Sequence, residues 1–373
     1  MYLYAGFAVM RKMGKISKSH RTKTNGYHDI VHWVRDGIYG GRLKPSDKLP
    51  PQMELTKKFG VSNQTVQRAI SHLQKQGLVF PCQKVGSLIS EEAPDLSIVG
   101  LALPETVPAK RKEIIFWNRL ATEARKIKLD GFRIRSYLGL EYLPPVSDIK
   151  KMLSDIKSND LAGIIEIFEL YNVNIPHGIP RIRMFSSTTP QSLADAWNKE
   201  NNGSVIIECE LMEQMLSWTA RSGRKRVAVL TITNNYERIS QMVERMAPDY
   251  ELTIKPHWIL GMELEKGKLA IRRLINLLFS SEMINGPEAL LVMDDNMLYL
   301  AAQGIMDSGL SVPDDVLLVS HSNFPNPVEC PLPVKRFGLD VRTLLEKSVE
   351  MVRSYWKNGS MPPPIKIPCV TEG

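Results

Sequence analysis

Cysteine is scarce in this chain: four in 373 residues, Cys82, Cys209, Cys330 and Cys369, with no CxxC pair among them. Zinc sites and disulfide frameworks need thiols at set spacings, so neither is encoded locally, and reduced thiols in a cytoplasm are expected. Long apolar runs are missing too. A membrane helix needs about 20 apolar residues, whereas "MYLYAGFAVM" is short, has no basic leader and is followed by charge. A soluble, unexported protein with no membrane partner follows. Catalytic signatures are absent as well. There is no GxSxG elbow, no HExxH, no Walker Gly-Lys-Ser and no GxGxxG opening a helix, and the seven histidines are scattered. Asp294 and Asp295 form a carboxylate pair at a strand end, but adjacent residues point apart and neither has an evident catalytic partner. The expectation is no enzyme, no metal and no cofactor.

What is present is core and charge. A 43% hydrophobic content suits two or three globular domains. Residues 1 to 92 hold 15 Lys/Arg against 6 Asp/Glu, while the remainder is almost balanced at 33 against 34. A basic front on a neutral body points to a polyanionic partner such as duplex DNA, because each phosphate neutralised releases counterions.

Residues 1 to 24 read as a basic, flexible tail and residues 25 to 91 as a compact domain. Tyr27, Ile30, Val31, Val34 and Ile38 fall at helical spacing, and Gly40 and Gly41 end that helix. A Pro-bounded turn leads to a second helix in which Met53, Leu55 and Phe59 are expected to face inward, and Gly60 makes the bend after it. Ser62 is a good N-cap for a third helix, whose Val66, Ala69, Ile70 and Leu73 form the buried stripe. Asn63, Gln64, Gln67 and Arg68 are left exposed. Two short helices with a tight turn and a polar second helix suit the major groove, and the extended runs around Lys84 to Ser87 suit a β-hairpin wing.

"GRLKPSDKLPPQMELT", "FGVSNQTVQRAISHL" and "KVGSLIS" resemble, in order, the link, recognition helix and wing of the GntR family of bacterial regulators. The resemblance implies a winged helix-turn-helix of α+β class reading DNA through Gln52, Ser62, Asn63, Gln64, Thr65, Gln67, Arg68, Lys84 and Ser87. Asn63 and Gln67 stand where the family usually has Arg, and Gln52 and Met53 replace its Glu-Arg. Asn and Gln pair bidentately with adenine, Arg with guanine, so an adenine-containing half-site is expected. Ser62, Thr65 and Lys84 are candidates for phosphate contacts, which set register without reading sequence.

After an acidic linker at 92 to 96, residues 97 to 373 alternate apolar strands with amphipathic helices, the pattern of parallel βαβ units with helices on both faces. The last helix is read from Leu339 to Lys357. Ligands of such sheets bind at the carboxyl ends of strands. His321, just past a strand, is a candidate contact.

"PEALLVMDDNMLYLAAQGIMDSGLSVPDDVLLVSHSNF" and "SGRKRVAVLTITNNYERISQMVERM" resemble the effector domain of the LacI/GalR family, which is similar to periplasmic sugar-binding proteins and has two Rossmann-like lobes. By that resemblance Asp295 and Arg238 hold polar groups of an effector and Trp117 lies where an aromatic stacks on a sugar; Phe168 is a further candidate contact, and Trp197 and Trp258 are weighed beside it as either contacts or core aromatics. Asp294 replaces Asn, Ser320 and Ser322 replace Gly and Asp, and Gln241 and Met242 replace Gly-Phe. The combination of the two domains resembles the arabinose-repressor group of bacterial regulators. It implies a homodimer on a palindromic operator, controlled by a small carbohydrate. Three alternatives stand beside it: a back domain kept only for dimerisation, a GntR-headed aminotransferase-like enzyme, and a free carbohydrate-binding transport protein.

Overall fold

The computed structural model describes residues 26–373 apart from 40–41, 76–77, 91–97, 104–114, 130, 141–146, 158–160, 168–169, 171–172, 174, 176–178, 187–190, 200–201, 209, 265–266, 281–284, 359 and 373. The expected tail at 1–24, the linker at 92–96 and the helix-ending Gly40 and Gly41 lie outside the described residues.

Three helices and a hairpin make the front domain: α1 (Gly26–Tyr39), α2 (Gln52–Phe59), α3 (Asn63–Lys75), β1 (Val79–Cys82) and β2 (Gly86–Ile89). Ile30, Val31, Val34, Leu55, Val66, Ala69 and Leu73 are fully buried together and join the helices to Leu78 and Ile89 of the hairpin. Gly60 ends α2 at φ 64, a left-handed conformation that costs glycine nothing. Lys48 bridges to Leu88, and the Leu49 N–H donates to the Ser87 carbonyl at 2.9 Å, so the link flanks the hairpin as a third short segment. One expectation fails. Met53 is 68% exposed, because two residues along a helix is about 200° of rotation away from the buried Leu55.

The back domain has two lobes. Lobe one holds β3 (Ile98–Ala102), α4 (Ile115–Lys126), β4 (Arg133–Tyr137), α5 (Ser147–Lys157), β5 (Leu161–Glu166), β6 (Arg181–Ser186), α6 (Gln191–Lys199) and β7 (Gly203–Glu208). Lobe two holds α7 (Leu211–Arg221), β8 (Val227–Ile232), α8 (Tyr236–Met246), β9 (Ile259–Met262), α9 (Lys268–Leu278), β10 (Ala289–Val292), α10 (Leu298–Asp307), β11 (Leu317–Phe324) and β12 (Lys335–Asp340). The chain then returns through α11 (Val341–Asn358) and β13 (Ile365–Pro368) to lobe one, and through β14 (Val370–Glu372) to lobe two. The sheet orders are β13-β7-β6-β5-β3-β4 and β14-β12-β11-β10-β8-β9, all parallel except the β12–β14 pair. Three crossings join the lobes: after β7, after β12 and after β13. Buried β-branched and leucine residues on both faces of β8 and β10 explain why these strands read as unbroken apolar runs.

The long last helix begins at Val341, so Leu339 belongs instead to β12, which the alternation did not reveal. β12 is "KRFGLD", charged and only half-buried at its start. Gly338 explains its position: a Cβ there would meet the Ser322 carbonyl oxygen at 1.7 Å, so only glycine permits this approach to β11. α6, β13 and β14 also went unread, the last two being four and three residues long.

Candidate DNA-reading face and effector cleft

On α3 the exposed arc is Asn63, Gln64, Gln67 and Arg68, while the opposite stripe is buried in the domain core. Ser62 caps the helix: its Oγ accepts from the Thr65 N–H at 3.2 Å and lies 2.9 Å from Thr65 Oγ1. One of the two hydroxyls donates to the other, which leaves one O–H of the pair able to donate outward. The Thr56 hydroxyl lies 2.8 Å from the Gln52 carbonyl and 2.9 Å from Asn63 Oδ1, so Asn63 is tied back to α2. Gln64 and Gln67 carry no such tie among the described residues. The Arg68 guanidinium lies 5.6 Å from the Tyr27 ring centroid, which braces it against α1. Lys84, at φ 66, marks the exposed tip of the hairpin, and Ser87 is half-buried in β2. Gln52 is exposed at the start of α2. Sequence reading passed over Arg42 and Lys58, whose cations sit 4.7 and 3.8 Å from the centroid of the Trp33 ring and add to the positive face. A tryptophan between basic segments was the signal available.

In lobe two, β10 and β11 run side by side with Val292 opposite Ser320. Past the end of β10, Asp295 meets Asn323, the penultimate residue of β11: the Asn323 N–H and Nδ2 both donate to Asp295 Oδ2. Asp294 accepts from the N–H and Nδ2 of Asn296 through Oδ1, at 3.0 and 2.6 Å. Burial raises both carboxyls above their ordinary range; the Asp294 charge adds to the effect on Asp295, which reaches about 6. His321, expected just past a strand, lies inside β11 opposite Phe337, because the strand runs on to Phe324; it is 8% exposed, and burial lowers its imidazole to about 3, so it is neutral at pH 7. The end of β10 and the second half of β11 therefore hold desolvated acids and a neutral imidazole, groups that accept from hydroxyls. Arg238 projects half-buried from α8, which packs on the same sheet face as β10 and β11 residues 291 and 319.

The aromatic expectations fare differently. Trp117 is 9% exposed and packs on Phe116 in the core of lobe one, ring centroids 4.9 Å apart, so its surface is spent on packing rather than on a stacked sugar. Trp197 is buried beneath Arg181 and Arg183, and Trp258 is in the core of lobe two. Phe168 lies outside the described residues. Asn296 and Asn323, the donors that hold the two acids, were not singled out from sequence; for Asn296 an amide two residues after a carboxylate was the local cue, whereas Asn323 had none. Among the described residues there is no group of three or more His, Cys, Asp or Glu able to hold a metal, and no helix is long and apolar enough to cross a membrane.

Residues 26–89 match the family described as bacterial regulatory proteins, gntR family, and residues 219–372 match the periplasmic binding protein-like domain. An arabinose metabolism transcriptional repressor from Geobacillus stearothermophilus is 21% identical over 316 residues, covering 79% of this chain and 80% of that protein. A LacI-family regulatory protein from Chloroflexus aggregans shares the fold at TM-score 0.53 and 17% identity, over 74% of this chain and 96% of its own. A complex of the transcriptional regulator CelR with cellobiose does so at TM-score 0.53 and 14% identity, over 92% of this chain and 98% of its own. The chain is therefore a transcriptional regulator that joins an N-terminal gntR-family helix-turn-helix domain to a C-terminal periplasmic-binding-protein-like domain of parallel-sheet lobes.

Proposed function

We propose that this protein is a cytoplasmic repressor whose grip on a palindromic operator is set by a small carbohydrate held between its two lobes. The observation that carries the reading is the pairing, in one chain, of an exposed polar arc on α3 with buried acids at the ends of β10 and β11. Gln64, Gln67 and Arg68 read base edges, Asn63 reads once it turns from Thr56, and Gln52, Ser62, Thr65, Lys84 and Ser87 fix the register on phosphates. Asp295, Arg238 and His321 meet the hydroxyls of the effector, and the arabinose repressor among the relatives favours a sugar. Two readers on two half-sites require a dimer. The outer faces of α9 and α10 suit it, since Leu269, Leu277, Tyr299 and Met306 are each at least half exposed there, from 50% to 65%.

The test has two arms. A duplex selected from random sequence is titrated against the protein across a range of salt, and the complex is challenged with a panel of pentoses, hexoses and disaccharides. Steep salt dependence with one sugar releasing the DNA is the expected result. Binding that no sugar alters would leave the back domain as a dimerisation module alone.

A further inference from the structure

One side chain at the cleft works on both lobes. Asn296 lies between β10 and α10 at the mouth of lobe two, and its Oδ1 accepts from the N–H of Ile115, the residue that opens α4 in lobe one, at 3.1 Å. Its Nδ2 donates to Asp294 Oδ1 at 2.6 Å. The amide orientation is determined by its partners, because Ile115 N–H can only donate and the Asp294 carboxylate can only accept. The opening N–H groups of a helix lack partners within it, so α4 is capped from the opposite lobe. Such a bond survives only while the lobes stay within hydrogen-bond distance.

The helix that receives this cap is tied to the lobe crossing. Glu123 of α4 is fully buried, and its Oε2 accepts from Arg342 Nε and Nη2 at 3.1 and 2.7 Å. Arg342 is the second residue of α11, immediately after the chain passes from β12 in lobe two to lobe one. The capped helix and the crossing are therefore joined by this two-bond ion pair.

We infer that Asn296 is a cross-lobe latch, coupling the Asp294–Asp295 end of β10, where the effector is proposed to bind, to the position of α4 and α11. A ligand that shifts the Asp294–Asp295 segment moves the Asn296 amide bonded to Asp294, and the same amide holds or releases Ile115. This rests on the reading of the back domain as ligand-controlled, but the latch itself is a property of the ligand-free chain and can be tested there.

Hydrogen exchange read by mass spectrometry on the full-length protein is the test. In Asn296→Ala, peptides from the first turn of α4 should exchange about fivefold faster, the loss of one ordinary hydrogen bond, with α9 peptides unchanged. Asn296→Gln keeps both an acceptor for Ile115 and a donor for Asp294 and should keep part of the α4 protection. Unchanged exchange in Asn296→Ala, or equal acceleration in both variants, overturns the latch. A thermal-shift series on the wild type with the same panel of pentoses, hexoses and disaccharides tests ligand control separately. A shift together with unchanged exchange in Asn296→Ala sinks the latch alone. No shift across the sugar panel sinks ligand control, while the exchange result still decides the latch.

Discussion

Asn323 gives both its backbone N–H and its side-chain amide to a single oxygen of Asp295, at 3.1 and 2.9 Å. Two good donors ordinarily hold a carboxyl low. Here burial and the neighbouring Asp294 outweigh them, and Asp295 rises from 3.8 to about 6. The folded chain thus binds a proton that the unfolded chain releases between about pH 4 and 6, so this group costs stability as pH rises through that window. Asp295→Asn removes the cost and keeps an acceptor for Asn323. Urea unfolding should find the variant more stable by on the order of 2 kcal/mol at pH 7.5, with the gap closing by pH 4. A gap independent of pH would show that Asp295 is not protonated preferentially in the fold.

His321 should tilt the other way. Its folded value of about 3 lies below the ordinary 6.5, so the unfolded chain takes up a proton first and stability falls as pH drops below about 6.5. Between pH 4 and 6 the two groups oppose each other, and the wild type should change little. His321→Gln removes one side of the balance. Its unfolding midpoint should rise on acidification from pH 6.5 to 4.5; a midpoint that tracks the wild type throughout would refute the assignment.

Glu166 offers a prediction about structure alone. Fully buried at the end of β5, it receives Arg181 Nε and, at 2.9 Å, Arg183 Nη2, while both guanidinium groups lie over the Trp197 ring, at 4.6 and 3.8 Å from its centroid. Removing one partner of a buried pair leaves the other charge uncompensated, at a cost of about 3 to 5 kcal/mol. Glu166→Ala should lose that much by chemical denaturation, and Glu166→Gln less. Equal stability in all three proteins would mean the arginines are solvated without it.

The proposed dimer face can be separated from the fold. Leu277 is 65% exposed on α9, so Leu277→Asp should leave the unfolding midpoint of each subunit near its original value while halving the mass seen by ultracentrifugation. A variant that sediments with the wild type would clear α9 of this role.

Sequence reached the front domain almost whole because its signals are local. A cap, a glycine bend and an i, i+3, i+4, i+7 stripe are written within 14 residues, and Ser62, Gly60 and Val66 each do what their type favours. Met53 was misplaced because an eight-residue helix gives the apolar pattern too few turns to fix its phase. The alternating lobes were legible as a class for the same reason that β8 and β10 are fully buried. What stayed hidden is non-local: β12 is recruited by the close approach that Gly338 allows, and Trp117 could not be sorted between core and cleft without knowing what Phe116 packs beside. The Asn296 bond to Ile115 spans 181 positions and has no sequence pattern at all.

Asn63 and Gln67 occupy positions where arginine is usual in the family that this domain matches, and the structure makes them unequal. Asn63 shares Oδ1 with the Thr56 hydroxyl at 2.9 Å, so reading a base with both ends of its amide requires breaking that contact. Gln67 is exposed, one turn further along α3. It should therefore carry more of the adenine preference. On a selected duplex, Gln67→Ala should weaken binding by about 1 to 3 kcal/mol and relax the sequence at one position, with the salt slope unchanged. Lys84→Ala, at the hairpin tip, should weaken binding to all sequences alike and reduce the slope of log affinity against log salt by about 0.9, the release of one counterion. If selection against Gln67→Ala returns the wild-type site with undiminished preference, α3 reads through other residues. If Lys84→Ala leaves the slope untouched, the hairpin does not reach the backbone.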